Sequence, residues 1–204
     1  MTNNAINSTN PVGIGSGGTA ASSFGTSNGV VAYNGTALVN YAGPTINSSG
    51  YQKSSTQPSF IAYNSAASIA NISGDGTAYT VIWNATSLNQ SSSLNTSTGI
   101  FTAPVAGNYL FTAWITALGI SSSMTEGIVQ IFTTAATYTI GRANYAAIRD
   151  LQSGSDLVGF SGAIIAAMSS GDTAKVVVTI AGGTKVAGIQ TDYARSGFSG
   201  ILVC

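Results

Sequence analysis

Thr98-Gly99-Ile100-Phe101-Thr102-Ala103-Pro104-Val105-Ala106-Gly107-Asn108-Tyr109-Leu110-Phe111, running on to Leu118, is the stretch from which the fold is read. Residues 100–103 form a short apolar run, and Pro104 with Ala106-Gly107-Asn108 then breaks it, because Pro cannot donate to a ladder and Gly-Asn suits a tight turn. Past the turn, Tyr109, Phe111, Ala113 and Ile115 share one face of an extended strand, while Leu110, Trp114 and Leu118 share the other. An antiparallel strand with one wet face alternates apolar with polar residues. Residues 108–118 are apolar on both faces, so both must be covered. One cover is the opposite sheet of a sandwich, and the other is assigned to a further copy of the chain. The same reading applies to 174–181, where Val176, Val178 and Ile180 oppose Val177. Leu110, Trp114, Leu118 and Val177 are therefore the candidate contacts between copies. A fully central strand in a larger fold is the alternative.

Outward from this stretch the pattern repeats. Alternating or continuous apolar runs predict strands over 59–64, 78–84, 100–103, 108–118, 127–136, 138–148, 156–168, 174–181 and 196–203. Turns rich in Gly, Asn, Ser and Asp separate them, among them Ser73-Gly74-Asp75-Gly76, Ser169-Ser170-Gly171-Asp172 and Ala181-Gly182-Gly183. No window carries a capped 3.6-residue stripe, and only 143–150 could make a turn of helix. Regular strands joined by short turns predict an all-β sandwich or barrel. Residues 1–58 differ. Gly, Ser, Thr and Asn dominate them, with apolar pulses at 30–33 and 38–41, preceded by Asn28-Gly29 and Asn34-Gly35. Such short segments cannot close a core alone. They predict an anchoring arm, with Val30, Val31, Tyr33, Leu38 and Tyr41 as its contact residues, ahead of a head domain at 59–204.

The run 98–111 resembles the signature of the complement q-subcomponent globular head, roughly Gly-x-Phe-x-x-Pro-x-x-Gly-x-Tyr-x-Phe. Phe101, Pro104, Gly107, Tyr109 and Phe111 stand at its marked positions. Ser196-Gly197-Phe198-Ser199-Gly200-Ile201-Leu202 is similar to that family's closing strand, with Phe198 and Gly200 in place, and Gly171-Asp172 matches its penultimate hairpin. The resemblance implies a jelly roll of about ten strands, shared with tumour necrosis factor relatives. It also implies a homotrimer, binding through loops and no catalysis. The chain departs from the animal family in having no collagen-like stalk.

Within the arm, Gly17-Gly18-Thr19-Ala20-Ala21-Ser22-Ser23-Phe24 and the segment 28–36 look like repeats of phage tail fibres and other virion surface proteins. Together the two resemblances imply a virion structural protein, made in the host cytoplasm and displayed at the particle surface. As a capsid decoration or cement protein it would hold another virion protein through 1–58. As a short tail fibre or spike it would meet a host-surface receptor or glycan. A free bacterial lectin-like module is the reading from a different class.

Composition bounds the chemistry. Of 204 residues only 6% are charged, six basic against six acidic, while 44% are hydrophobic. The basic residues are scattered and form no stripe for a phosphate backbone, so nucleic-acid binding is not expected. The longest apolar run, 163–168, is far too short to cross a bilayer, so no membrane insertion is expected. The first residues lack the basic start and apolar run of a signal peptide.

There is no histidine, which removes Ser-His-Asp and Cys-His catalysis and histidine metal sites. Cys204 has no second cysteine to pair with, and zinc chemistry is not expected of it. Gly13-Ile14-Gly15-Ser16-Gly17-Gly18 has dinucleotide spacing but no strand before it and no helix after it. The echoing Gly159-Phe160-Ser161-Gly162 and Gly197-Phe198-Ser199-Gly200 lack both the spacing of a nucleophile elbow and a base. Asp150 and Asp156 are the nearest acidic pair and read as solvated loop acids. Asp75, Asp172 and Asp192 join them as loop carboxylates, without the triplet spacing of a calcium loop. No enzyme activity, cofactor or metal is expected. Tyr51, Tyr138, Tyr145 and Tyr193 are the candidate aromatic contacts for a glycan.

Overall fold

The computed structural model describes residues 30–33, 38–41, 45–46, 52–54, 56–121, 123–148, 157–192 and 194–203. The chain divides into two compact units, Met1–Thr56 and Gln57–Cys204. In the first unit, β1 (Val30–Tyr33) pairs antiparallel with β2 (Leu38–Tyr41), setting Val30 opposite Tyr41 and Tyr33 opposite Leu38. β3 (Thr45–Ile46) pairs likewise with β4 (Gln52–Lys53). Among the described residues each pair is a sheet of two strands. The Gly-rich segments 13–18 and 17–24 lie outside the described residues.

Among its described residues the second unit is all β apart from one helical turn. Its strands are β5 (Ser59–Tyr63), β6 (Ser68–Ser73), β7 (Ala78–Thr80), β8 (Ala85–Gln90), β9 (Leu94–Asn95), β10 (Ile100–Thr102), β11 (Gly107–Leu118), β12 (Glu126–Thr133) and β13 (Thr137–Asn144). The helical turn α1 (Tyr145–Ile148) follows, then β14 (Val158–Met168), β15 (Thr173–Ala181), β16 (Ala187–Gln190) and β17 (Gly197–Leu202). One sheet runs β6-β16-β11-β17-β5-β8, with β14 along the other edge of β11. The second runs β13-β12-β15-β10-β9, with β7 also on β15. β11 is the spine of the first sheet: β14 pairs with it from Gly107 to Ala117, while β17 and β16 share its opposite edge.

The alternation read in 108–118 is what places the core. Tyr109, Phe111, Ala113, Ile115 and Ala117 are buried, and the residues between them are half-buried. Val176, Val178 and Ile180 on β15 face them from the second sheet. Between the sheets an aromatic cluster forms from residues far apart in the chain. Phe101 lies 5.2 Å from Phe60, 5.3 Å from Tyr109 and 5.3 Å from Phe111, and Phe198 lies 4.9 Å from Phe60, centroid to centroid. Gly200 makes room for it. A Cβ there would overlap the rings of Phe60 and Phe111. Pro104 sits exposed in the β10–β11 turn, which the Tyr109 hydroxyl braces by donating to the Val105 carbonyl at 2.8 Å.

Several boundaries differ from the sequence reading. The 78–84 run leaves the ladder after Thr80, and Trp83 turns fully into the core. The 138–148 run stops at Asn144, whose Oδ1 accepts from the Ala146 amide and caps α1. Alternation does not anticipate β6, β8, β9 or β16, which are polar, short or irregular. In β6, Asn71 adopts φ 57°, and the register against β16 shifts between Ala187 and Ile189. Such a bulge breaks the period of two on which strand reading depends.

Candidate functional site

The second face of β11 belongs to a larger surface. Antiparallel register sets Ile165 of β14, Leu110 of β11, Ile201 of β17 and Ser59 of β5 in one row across the first sheet. The next row is Ala163, Thr112, Ser199, Ile61 and Leu88, and a third sets Ser161, Trp114 and Gly197 side by side. Side chains in such rows are neighbours on one face of the sheet. This outward face leaves Ile165 63%, Ile201 43% and Leu88 40% exposed, with Leu110, Trp114 and Leu118 half-buried. Between β17, β5 and β8 it dips into a groove of about 220 Å³, lined by Ile61, Leu88 and Ile201 with Ser59 and Ser199 among its walls.

No charged residue occupies an outward position of β14, β11, β17 or β5. The outward face of the second sheet is different. It carries the Glu126–Arg142 ion pair and Lys175 at 6.0 Å from the Phe132 ring. An apolar, charge-free face is the type that associates, since a charge buried there would lose its hydration without a partner.

Trp114 is the broadest side chain of this face, and the backbone at Gly197 is shaped to it. A Cβ on Gly197 would overlap the indole. Of the four contacts expected between copies, Leu110, Trp114 and Leu118 thus lie together on this surface. Val177 does not. It belongs to the second sheet, in register with Gln130 on one side and Thr80 on the other, and is only 5% exposed within a single chain. A doubly apolar strand was read there as needing a foreign cover, but neighbouring strands already supply it. Ile165, Ile201, Ile61 and Leu88 are not legible as a set in the sequence, because only register brings Ile165 and Ile201 into line with Leu110 and sets Ile61 and Leu88 in the adjoining row with Thr112.

At the end of this head far from Gln57, three loops are laced together. Gly74 and Gly76 donate to the Ile180 carbonyl at 2.9 Å each, Gly183 donates to Gly74 at 2.8 Å, and Thr125 donates to Ala181 at 2.9 Å. Asp75 and Lys185 stand on these loops, and Arg195 pairs with Asp192 at 3.5 Å nearby. Hydrogen bonds from Thr77 hold the Asp75 carboxyl below its ordinary value, with a small contribution from Lys185. The loop acids cap their own turns. Asp172 accepts from Ser169 at 2.7 Å and Asp192 from Ala194 at 3.2 Å. Among the described residues no three His, Cys, Asp or Glu side chains gather. Asp150 and Asp156 lie outside the described residues.

The two Gly-Phe-Ser-Gly echoes fall on β14 and β17, on either side of β11, with Phe160 opposite Ile115 and Phe198 opposite Ala113. They are matching floor strands of one sheet. Two of the four expected aromatic glycan contacts lie among the described residues. Tyr145 is buried in the core, which removes it as a surface contact, and Tyr138 is half-buried against that core. Tyr51 and Tyr193 lie outside the described residues.

Two facing antiparallel sheets with these strand neighbours define a jelly-roll sandwich of the complement-q and tumour-necrosis-factor type. The C1q domain family profile matches residues 62–203, and the chain belongs to that family. The globular domain of zebrafish complement 1qA protein is 15% identical, with 72% of this chain and 98% of that one covered at a TM-score of 0.49. Murine APRIL is 12% identical, with 72% and 99% covered and a TM-score of 0.48. Eiger TNF from S. frugiperda is 13% identical, with 73% and 94% covered and a TM-score of 0.50. No curated protein matches. Domains of this class generally form homotrimers and bind other proteins.

Proposed function

We propose that the chain is a non-catalytic binding module that acts as a homotrimer, burying the outward face of the first sheet against its copies and presenting the laced loops to a partner. The observation that carries this is the charge-free row Ile165, Leu110 and Ile201, with Leu88 and Trp114 beside it. Fully burying one isoleucine of this kind is worth about 2 kcal/mol, so a few such side chains per copy outweigh much of the entropy of association. A neutral surface also lets like copies meet without repulsion. Sedimentation of the full chain tests the proposal. A trimer that Leu110→Asp converts to folded monomers is expected, and a wild-type monomer at micromolar concentration overturns it.

At a finer level, we assign the module to the surface of a virion, as a capsid decoration or cement protein. The support is the arm's resemblance to virion surface repeats, together with a head of the C1q family, whose domains generally form homotrimers and bind other proteins. The same repeats favour a second reading, a short tail fibre or spike whose loops meet a host-surface receptor or glycan. Imaging intact particles with this chain labelled separates the two. Hundreds of copies over the shell support decoration, a handful at the tail supports the fibre, and none on any particle removes both.

A further inference from the structure

Among the described residues β1 and β2 pair only with one another. In such a ribbon each strand aims a row of backbone N–H and C=O groups away from its partner, and two strands alone are marginal in water. Proteins protect open edges with charges, prolines or bulges. None is present here. β1 reads Val-Val-Ala-Tyr, β2 reads Leu-Val-Asn-Tyr, and their register is unbroken over all four pairs. Lys53 is the one charged side chain in residues 1–58. Edges this unguarded are suited to being paired.

We propose that the occupant is the same hairpin of the other copies, β2 of each pairing with β1 of the next. This rests on the homotrimer proposed for the head. Three hairpins pointing the same way place β2 and the neighbouring β1 antiparallel, so a threefold ring of six strands closes without leaving an edge. Copies tethered through one trimeric head meet at millimolar effective concentration, which favours them over a separate partner. Neutral strands add no repulsion between like chains.

The test uses the full chain, with sedimentation reporting the head and hydrogen exchange reporting the arm. In a lone hairpin half of the strand amides point outward and exchange freely. In the closed ring, amides of both rows in 30–33 and 38–41 are expected to slow by ~100-fold or more. Mixing isotopically heavy and light copies before amine cross-linking is expected to yield heavy–light Lys53–Lys53 links, which only different copies can form. Val31→Pro and Val39→Lys are expected to release protection over 30–41 while amides of 109–114 stay protected, and to weaken the trimer by ~10-fold. A trimer with one freely exchanging row of hairpin amides overturns the proposal and leaves the head reading standing. Protection without heavy–light links, and with the variants trimerising as tightly as the parent, likewise overturns it. A monomer overturns both.

Discussion

The indole of Trp114 lies against backbone where Gly197 has no side chain to interpose. Gly197→Ala is therefore expected to push the ring outward and to cost about 1–3 kcal/mol, the usual penalty of overpacking. Urea unfolding gives the magnitude, and tryptophan emission shows whether the ring has moved. Tyr145 presents the opposite case. Its ring is buried, its hydroxyl has no hydrogen-bond partner among the described residues, and burial drives its pKa far above the ordinary 10.0. Tyr145→Phe is expected to raise stability by about 1 kcal/mol, because it removes an unpaired buried polar atom. Ser92 adopts φ 48° in the β8–β9 turn, a left-handed conformation that costs a side chain about 1 kcal/mol. Ser92→Gly is expected to recover much of that cost, read as a higher unfolding temperature.

Among the elements, β11 and β14 set what the surface can do. Ile165 is the most exposed large apolar residue of the described chain and sits in register with Leu110. Ile165→Asp is expected to abolish self-association while leaving the far-ultraviolet spectrum unchanged. A misfolded variant, or one that still sediments as the parent does, would place the interface elsewhere. β11 was legible in the sequence because a twelve-residue strand gives its period time to show, and Tyr109, Phe111 and Leu110 hold that period without interruption. β6 was not, because Asn71 resets the alternation midway. β16 was not, because four residues beginning Ala187-Gly188 carry little apolar signal. The interaction face was half legible for a related reason. Each strand announces its own apolar residues, but whether Ile201 stands beside Leu110 or beside Thr112 depends on pairing, which is a property of two strands. Val177 misled for the same cause, since its cover comes from β7 and β12.

For the whole molecule, the scarcity of titrating groups shapes its response to pH. Without histidine, nothing on the side chains changes charge across roughly pH 6 to 9 apart from a thiol, so stability is expected to stay flat there. Tyr145, Tyr79 and Tyr109 have pKa values raised by burial. The folded state thus holds protons that the unfolded chain releases above pH 10. Their contribution is complete below the ordinary tyrosine value and is lost as pH climbs through the folded values. Alkaline unfolding beginning near pH 10, delayed in Tyr145→Phe, is the expected outcome of denaturation series at stepped pH. The position of β17 has a further effect, on the order of events as the polypeptide is made. It lies between β5 and β11, so the centre of that layer is supplied by residues 197–202. A ribosome that has not yet passed residue 202 holds a chain whose middle rung is missing, and the layers cannot settle until β17 has been made. Until then a nascent copy leaves its greasy strands in the care of whatever shields them, and oligomers can be recruited only from copies that already carry β17.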